Sequence, residues 1–399
     1  MFFLRIGLAL GLMTVLPALA VYYGCLHGKP VRRLWKWLLG AVTLLQLAGM
    51  VCFVVFAFAH GGSASAWWRL LLHACIGVAG AEAAAGVCAL LAGRVFRKKK
   101  YVRLPVLWLG AVLALLNIVM VAMAFIIGNK RIDVTEYTYG SKDLSEAFNG
   151  FRVVHISDLH LGIYGHDTTR VAELIDKVLA QKGDMIVFTG DLVNFESKEA
   201  LPFVDQLSRL KAPYGVYAIL GNHDYGVYRN FATKEEQVAD IAKLVAMEQR
   251  CGWQVLRNEH AIVSKDGDSI VVVGVENDGN PPFPKLADIP KALKGIPDSA
   301  HGGSPFEIML THDPSHWRRN VLVESSAQLT LAGHTHGMQF RLGKWSPAAL
   351  VYREWGGQYY EGDRSLVVSV GLGLGAVPFR FGAWSEVSVI TLKSQKTAK

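Results

Sequence analysis

Residues 151–191 read FRVVHISDLHLGIYGHDTTRVAELIDKVLAQKGDMIVFTGD. One apolar run opens the stretch and closes on Asp158 and His160, and a second, MIVFTGD, closes on Asp191. Between them, residues 167–182 set Val171, Leu174, Ile175, Val178 and Leu179 on one face at helical spacing. Strand, helix and strand in that order predict a βαβ unit and an α/β fold whose sheet has parallel parts.

Three further runs repeat the pattern: VYAILGNHD (216–224), FEIMLTHD (306–313) and AQLTLAGHTH (327–336). Each is rich in Val, Ile, Leu or Phe over a few residues and reads as a buried strand. A second amphipathic stretch, 234–249, follows the first of the three. In every run the Asp, His or Asn residues fall at the C-terminal end of the apolar segment, the edge at which open α/β sheets bind ligands.

The rim so defined holds Asp158, His160, Asp191, Asn222, His223, Asp224, His312, Asp313, His334 and His336. Imidazole nitrogen with carboxylate or amide oxygen, and no thiolate, suits Mn, Fe, Zn or Co. The D-x-H and H-x-H spacings have a physical reason, because residues i and i+2 along a strand or strand end point to the same side and can reach one metal. The ligands are too many for one tetrahedral ion. They suffice for two divalent ions roughly 3.5–4 Å apart, with Asp191 as a candidate bridge and Gly190 before it allowing a tight turn. A single DxH or GD is a weak signal, whereas five clusters in order, each closing a buried strand, are specific.

DLH (158–160), GD (190–191), GNHD (221–224), TH (311–312) and GHTH (333–336) resemble the five-block signature of the calcineurin-like metallophosphoesterases, over about residues 151–392. The resemblance implies a four-layer α/β/β/α sandwich with the dinuclear site at the edge of its central sheets. Asp158, His160 and His336 would take one metal, Asn222, His312 and His334 the second, and Asp191 would bridge them. The cations would hold phosphate oxygens and make hydroxide available near neutral pH for in-line attack on phosphorus. His223, beside Asn222, is the natural general acid, a role the family gives to the matching histidine. Asp224 would orient that imidazole or position a backbone turn. Arg380, in PFRFG, would contact a substrate phosphate or form a surface salt bridge.

The chain in front of these blocks is of another kind. Hydrophobic residues make up 51% of the 399, and the excess sits in the first third. Apolar stretches at 6–23, 38–59, 70–92 and 104–127 are each near or above the roughly 20 residues a membrane-spanning helix needs. Trp35, Trp37, Trp67, Trp68 and Tyr101 fall at their edges, where amphipathic rings prefer to sit. The expected organisation is therefore an all-α four-helix transmembrane domain over 1–128, a linker or first strand over 129–150, and the metallophosphoesterase domain over 151–399. Within the third stretch His73 and Glu82 are ionisable at membrane depth, marking a functional pathway or, more plainly, a His73 near the interface and a Glu82 neutralised by a neighbouring helix.

The net charge of +8 could point to nucleic acid, but ten of the basic residues lie in two loops between apolar stretches: Lys29, Arg32, Arg33, Lys36, Arg94, Arg97, Lys98, Lys99, Lys100 and Arg103. Such loops are held on the cytoplasmic side, so no nucleic-acid partner is expected. This pattern predicts a multi-pass protein of a bacterial cytoplasmic membrane with its catalytic domain outside. Ala18-Leu19-Ala20 offers a rival reading as a signal-peptidase site, which would invert the arrangement. Lys130 and Arg131 also count against the outward arrangement. Of five cysteines only Cys251 lies in the globular part, so that domain holds no internal disulfide, and with no CxxC pair a zinc finger is excluded.

Residues 366–392, with Ala332–Phe340 and the GxY-rich 357–360, resemble the bacterial membrane-associated branch of the family. With its helical leader, the chain is most similar to the transmembrane proteins with a metallophosphoesterase domain. The expected function is hydrolysis of a phosphomonoester or phosphodiester on a lipid-linked or envelope substrate, with membrane lipids as partners. The UDP-2,3-diacylglucosamine pyrophosphatases share the same blocks and supply the alternative substrate. A non-catalytic membrane sensor or scaffold is the alternative of another class. Aromatic and basic residues in 340–360 (Arg341, Lys344, Trp345, Arg353, Trp355, Tyr359, Tyr360) suit an interfacial lipid, or an ordinary loop with a small aromatic cluster.

Overall fold

The computed structural model describes residues 12, 14–23, 33–59, 66–128, 130–281, 283–297, 305–375 and 379–395. The chain divides into two compact units, Met1–Asn129 and Lys130–Lys399.

Among the described residues of the first unit, three helices are long and apolar enough to cross a membrane: Arg33–Cys52, His73–Val95 and Lys100–Gly128. Leu44, Leu45, Leu115 and Leu116 stand exposed on them, as expected of helices that are hydrophobic all round. The stretch expected at 6–23 lies largely outside the described residues, although 14–21 is helical. The helix Ala66–Leu90 packs on Lys100–Met123 through small residues. A Cβ at Gly110 would collide with that of Cys88. Asn117 Nδ2 donates to the carbonyl of Gly77 at 2.8 Å across this seam. Glu82 accepts from Gln46 Nε2 of the helix Arg33–Ala59 at 3.3 Å, and buried His73 stands edge-on to Phe125. Gln46 of a neighbouring helix thus meets Glu82 with a neutral amide.

The second unit is built on two six-stranded sheets. The first runs β1-β12-β2-β3-β4-β5, with β1 Ile132–Ser141, β2 Arg152–Ile156, β3 Met185–Phe188, β4 Val216–Ala218, β5 Gln254–Val255 and β12 Ser385–Ser394. The second runs β10-β11-β9-β8-β7-β6, with β6 Glu259–Lys265, β7 Asp268–Gly274, β8 Phe306–Leu310, β9 Leu329–Ala332, β10 Gly357–Glu361 and β11 Arg364–Val368. β2, β3, β4 and β5 are mutually parallel, and so are β7, β8, β9 and β11. The central strands are short, fully buried apolar runs, the pattern of parallel sheets covered on both faces. β1, in the segment read as linker or first strand, pairs with β12 over its whole length.

The helix between β2 and β3 runs Thr168–Leu179 and is capped by Asp167, whose carboxylate accepts the Arg170 N–H at 3.0 Å. Its buried stripe is Val171, Leu174, Ile175 and Val178, and each such side chain contributes about 1.5–3 kcal/mol of burial. This stripe and the helix Lys234–Arg250 share a hydrophobic cluster with Val154, Ile186, Phe188 and Val389 of the first sheet. A second cluster joins the facing sides of the two sheets, through Val153, Val187 and Ile390 on one and Val272, Ile308 and Leu331 on the other. A third packs Trp317, Val321, Ile289 and Ala292 on the far side of the second sheet. Cys251 is a buried free thiol held above its ordinary pKa by burial.

Candidate metal centre

All five polar tips leave their strands on one rim, and the backbone there is unusual. Asp158, His160, Asp191, His334 and His336 all have positive φ, between 47° and 73°. Side-chain-bearing residues pay about 1–3 kcal/mol each to sit there, so such strain persists only where surrounding bonds impose it. Here they do. Asp158, His160 and Leu161 donate their N–H groups to the carbonyls of Gly190, Asp191 and Leu192. Gly190 has φ 92° and lies so close to the next loop that a Cβ would collide with Gly221 N. The expected strand alternation is therefore not what unites Asp158 with His160, which lie beyond β2 in left-handed corners. Nor do His334 and His336 serve one cluster. They part company.

His336 gathers with Asp158 and His160, and His334 with Asp191 and His312; each trio offers ligand atoms within 4.8 Å of one another. In the first trio, His336 Nε2 lies 3.0 Å from His160 Nε2 and 3.3 Å from Asp158 Oδ1. In the second, His312 Nε2 lies 3.1 Å from Asp191 Oδ2 and 3.2 Å from His334 Nδ1. Asp191 Oδ2 is also 3.7 Å from His160 Nε2, so one carboxylate stands between the two trios. His160, Asp191 and His223 form a third such group. Asp158, His160, Asp191, Asn222 and His312 are buried, while His223, His334 and His336 are partly open.

The tautomer of His312 decides what this pocket requires. Its Nδ1 lies 2.7 Å from the carbonyl of Thr189, which can only accept, so Nδ1 carries the proton. A neutral His312 would then turn a lone pair from Nε2 toward the Asp191 carboxylate. Two acceptors at that distance need a positive charge between them. A proton supplies it in the bare protein: burial works against a charged His312, but Asp191 beside it carries the pKa up to about 10. Burial also pushes Asp191 up, yet His312 and His223 outweigh it and hold the carboxyl well below its ordinary range. Burial lowers His160 to about 3 and His334 to about 4, keeping both rings neutral and able to ligate, and pushes Asp158 up to about 6. Asn222 Oδ1 is buried and has no hydrogen-bond partner among the described residues, while its amide nitrogen faces Tyr228 Oη at 3.3 Å. An orphaned amide oxygen beside imidazoles and carboxylates fits a divalent cation.

His223 is fixed by its neighbours. Its Nδ1–H donates to the carbonyl of Asn194 at 2.7 Å, which leaves Nε2 to hold or release a proton, and its ring packs on Tyr228. Burial lowers its pKa, and Asp191 and the Asn194 carbonyl oppose that.

The partner shown for the His223 ring nitrogen Nδ1 is the Asn194 carbonyl rather than Asp224. The Asp224 carboxylate accepts four backbone N–H groups, from Gly221, Asp191, Leu192 and Val193, at 2.8–3.2 Å. It sets the backbone of the loops after β3 and β4, the turn-positioning role expected of it. Arg380 departs further, being neither in a surface salt bridge nor open to a substrate phosphate. It is fully buried. Its guanidinium donates to the carbonyls of Val370, Gly371, Gly373 and Ala383, and Nη2 lies 3.2 Å from His336 Nδ1, so it braces the wall behind that ring.

Three contributors escaped sequence reading. Tyr352 Oη lies 2.8 Å from His334 Nε2, Tyr228 flanks Asn222 and His223, and the Asn194 carbonyl orients His223. Asp313, counted on the rim but given no role, places Oδ2 3.7 Å from His334 Nε2. None of these contacts follows a periodic spacing, so pattern reading had no signal for them.

The profile of the "Calcineurin-like phosphoesterase" family matches residues 151–338. The "Uncharacterized metallophosphoesterase YkuE" of Bacillus subtilis (strain 168) is 32% identical over 275 residues, spanning 66% of this chain and 86% of that protein. A "Transmembrane protein with metallophosphoesterase domain" from Danio rerio is 28% identical over 259 residues, covering 63% and 55%. The "UDP-2,3-diacylglucosamine pyrophosphatase LpxG" of Chlamydia trachomatis is 28% identical over 233 residues, covering 49% and 66%.

Proposed function

Because the chain belongs to the calcineurin-like metallophosphoesterases, we propose that it is a membrane-anchored phosphoesterase holding two divalent cations, Mn, Fe, Zn or Co, and hydrolysing a phosphomonoester or phosphodiester on a lipid-linked or envelope substrate. The observation that carries this reading is the gathering of two His/Asp trios, Asp158–His160–His336 and Asp191–His312–His334, with Asp191 Oδ2 3.7 Å from His160 Nε2 and 3.1 Å from His312 Nε2. The four-layer α/β/β/α order is how we read the three hydrophobic clusters around the two sheets.

Asp158, His160 and His336 would hold one ion, Asn222, His312 and His334 the other, and Asp191 would face both. When bound, the ions would neutralise phosphate oxygens and acidify a water near neutral pH. The protein's own groups do the rest. The Thr189 carbonyl fixes the His312 tautomer, and Tyr352 holds the His334 ring. His223, steadied through Nδ1, presents Nε2 as the proton donor to a leaving alkoxide. A phosphate anion beside it would raise its pKa in the same sense as Asp191 does. The three long apolar helices support the anchor, and the two basic loops support a catalytic domain on the outer face of a bacterial cytoplasmic membrane.

Likeness to a UDP-2,3-diacylglucosamine pyrophosphatase favours a lipid-linked pyrophosphate as one substrate class to try. The test uses the purified full chain in detergent with bis-p-nitrophenyl phosphate and each of the four metals. Wild type should exceed Asp191→Ala and His312→Ala by about 10²-fold or more, since loss of even a ligand's supporting partner costs 10–100-fold. Equal rates under every metal would discard the enzyme and favour a sensor or scaffold.

A further inference from the structure

Twelve large hydrophobic side chains stand exposed among the described residues of the second unit, and five of them lie in one short segment: Met338, Leu342, Trp345, Leu350 and Val351. Leu350 is 80% exposed and Val351 64%. An apolar concentration of this kind marks an interaction surface more often than chance exposure does.

The segment is held rigidly. Leu342 and Trp345 exchange backbone hydrogen bonds of 2.9 and 3.1 Å, so they stand directly opposite and their side chains share a face. Ser346 caps the turn Pro347–Leu350, accepting the Ala348 N–H at 3.1 Å and donating to the Gly337 carbonyl at 2.6 Å. Ala348 is buried, and Phe340 stacks on Phe381. The backbone is thus pinned to the domain while the large apolar side chains project from it.

Charge selects the occupant. Residues 338–353 carry Arg341, Lys344 and Arg353 and no Asp or Glu. Aliphatic side chains, a tryptophan and three cations, of which Arg353 lies 3.5 Å from Glu354, together suit the headgroup level of an anionic bilayer. The same chain carries helices of membrane-spanning length. The segment also borders the metal centre, because Tyr352, between Val351 and Arg353, meets His334 Nε2.

We propose that residues 338–353 dock on the surface of an anionic phospholipid bilayer and bring the His334 side of the centre to phosphoesters at headgroup level. The second half of that statement rests on the phosphoesterase reading; the docking does not.

The experiment places the full chain, its five cysteines changed to alanine, in nanodiscs containing phosphatidylglycerol and lipids spin-labelled near the headgroup. Leu350→Cys carries a fluorophore, with Val351→Cys as a second version. Val238→Cys, 55% exposed on the helix Lys234–Arg250, is the reference. Quenching at 350 should exceed that at 238 by about threefold and fall by about half when phosphatidylcholine replaces the anionic lipid. Equal quenching at the two sites overturns the proposal, and so does quenching indifferent to lipid charge. Energy transfer between labelled copies without lipid quenching assigns the face to a second copy and overturns it too. Turnover of soluble bis-p-nitrophenyl phosphate by the same labelled chains separates the two ideas. Turnover without quenching sinks the docking alone, and quenching without turnover sinks the catalytic reading alone.

Discussion

The backbone N–H of His223 donates to Asp191 Oδ1 at 2.8 Å, which ties the candidate acid to the carboxylate standing between both histidine trios. Asp191→Asn keeps an acceptor for that N–H and removes the charge. It should leave the fold intact and lower kcat/KM by about 10²-fold or more. Circular dichroism with steady-state kinetics checks both halves, and near-wild-type kinetics would remove Asp191 from the centre.

His223 donates Nδ1–H to Asn194, so its Nε2 is the atom left for the leaving group. His223→Ala should therefore cost about 10²–10⁴-fold on an alkyl phosphodiester, whose alkoxide needs a proton. On a p-nitrophenyl ester, whose leaving group departs unaided, the cost should be about tenfold or less. Equal losses on both substrates would assign His223 to ion binding, which its place in the third trio also permits.

Glu199 accepts the N–H groups of Asn194 and Phe195 and so holds the loop that orients His223. Burial pushes its pKa from 4.5 up to about 7. A carboxyl raised in the folded state keeps its proton after the unfolded chain has lost it. Its contribution to stability is therefore full below 4.5 and is lost as pH rises to about 7. Relative to Glu199→Gln, wild type should lose about 1.4 kcal/mol per pH unit across that window, about 3 kcal/mol at most. Thermal unfolding in detergent at a series of pH values reads the difference, and parallel curves would contradict it.

Arg380 donates to five carbonyls, of Val370, Gly371, Gly373, Ala383 and Trp384, in a site closed to water. Lysine brings three donors on a flexible stem and cannot reproduce that fork. Arg380→Lys should destabilise the domain by about 2–4 kcal/mol, because hydrogen bonds to charged groups are lost and carbonyls are left buried. A melting temperature within a degree of wild type would show that the guanidinium is not bracing this wall.

The parts of the fold readable from sequence were those in which neighbouring residues carry the whole signal. Strands β2, β3, β4, β8 and β9 are short, largely apolar runs, and their polar ends identify the rim because chain order and burial are local properties. The left-handed corners at Asp158, His160, His334 and His336 were not readable, because bonds to distant loops impose them and the general enrichment of Asp and His in that conformation is too weak to locate them. Asp224 and Arg380 look like surface or ligand chemistry in isolation, and only the carbonyls and N–H groups brought around them reveal bracing roles. Tyr352 reaches His334 across 18 positions, and Asn194 reaches His223 across 29, separations that match no helix or strand period.

The metal content of the purified full chain tests the central claim most directly. After equilibration with Mn²⁺ and desalting, elemental analysis should find about two ions per wild-type chain and fewer than about one in Asp191→Ala, since a carboxylate facing both trios serves both ions. One ion or none in wild type, or two retained by Asp191→Ala, would contradict the two-ion centre.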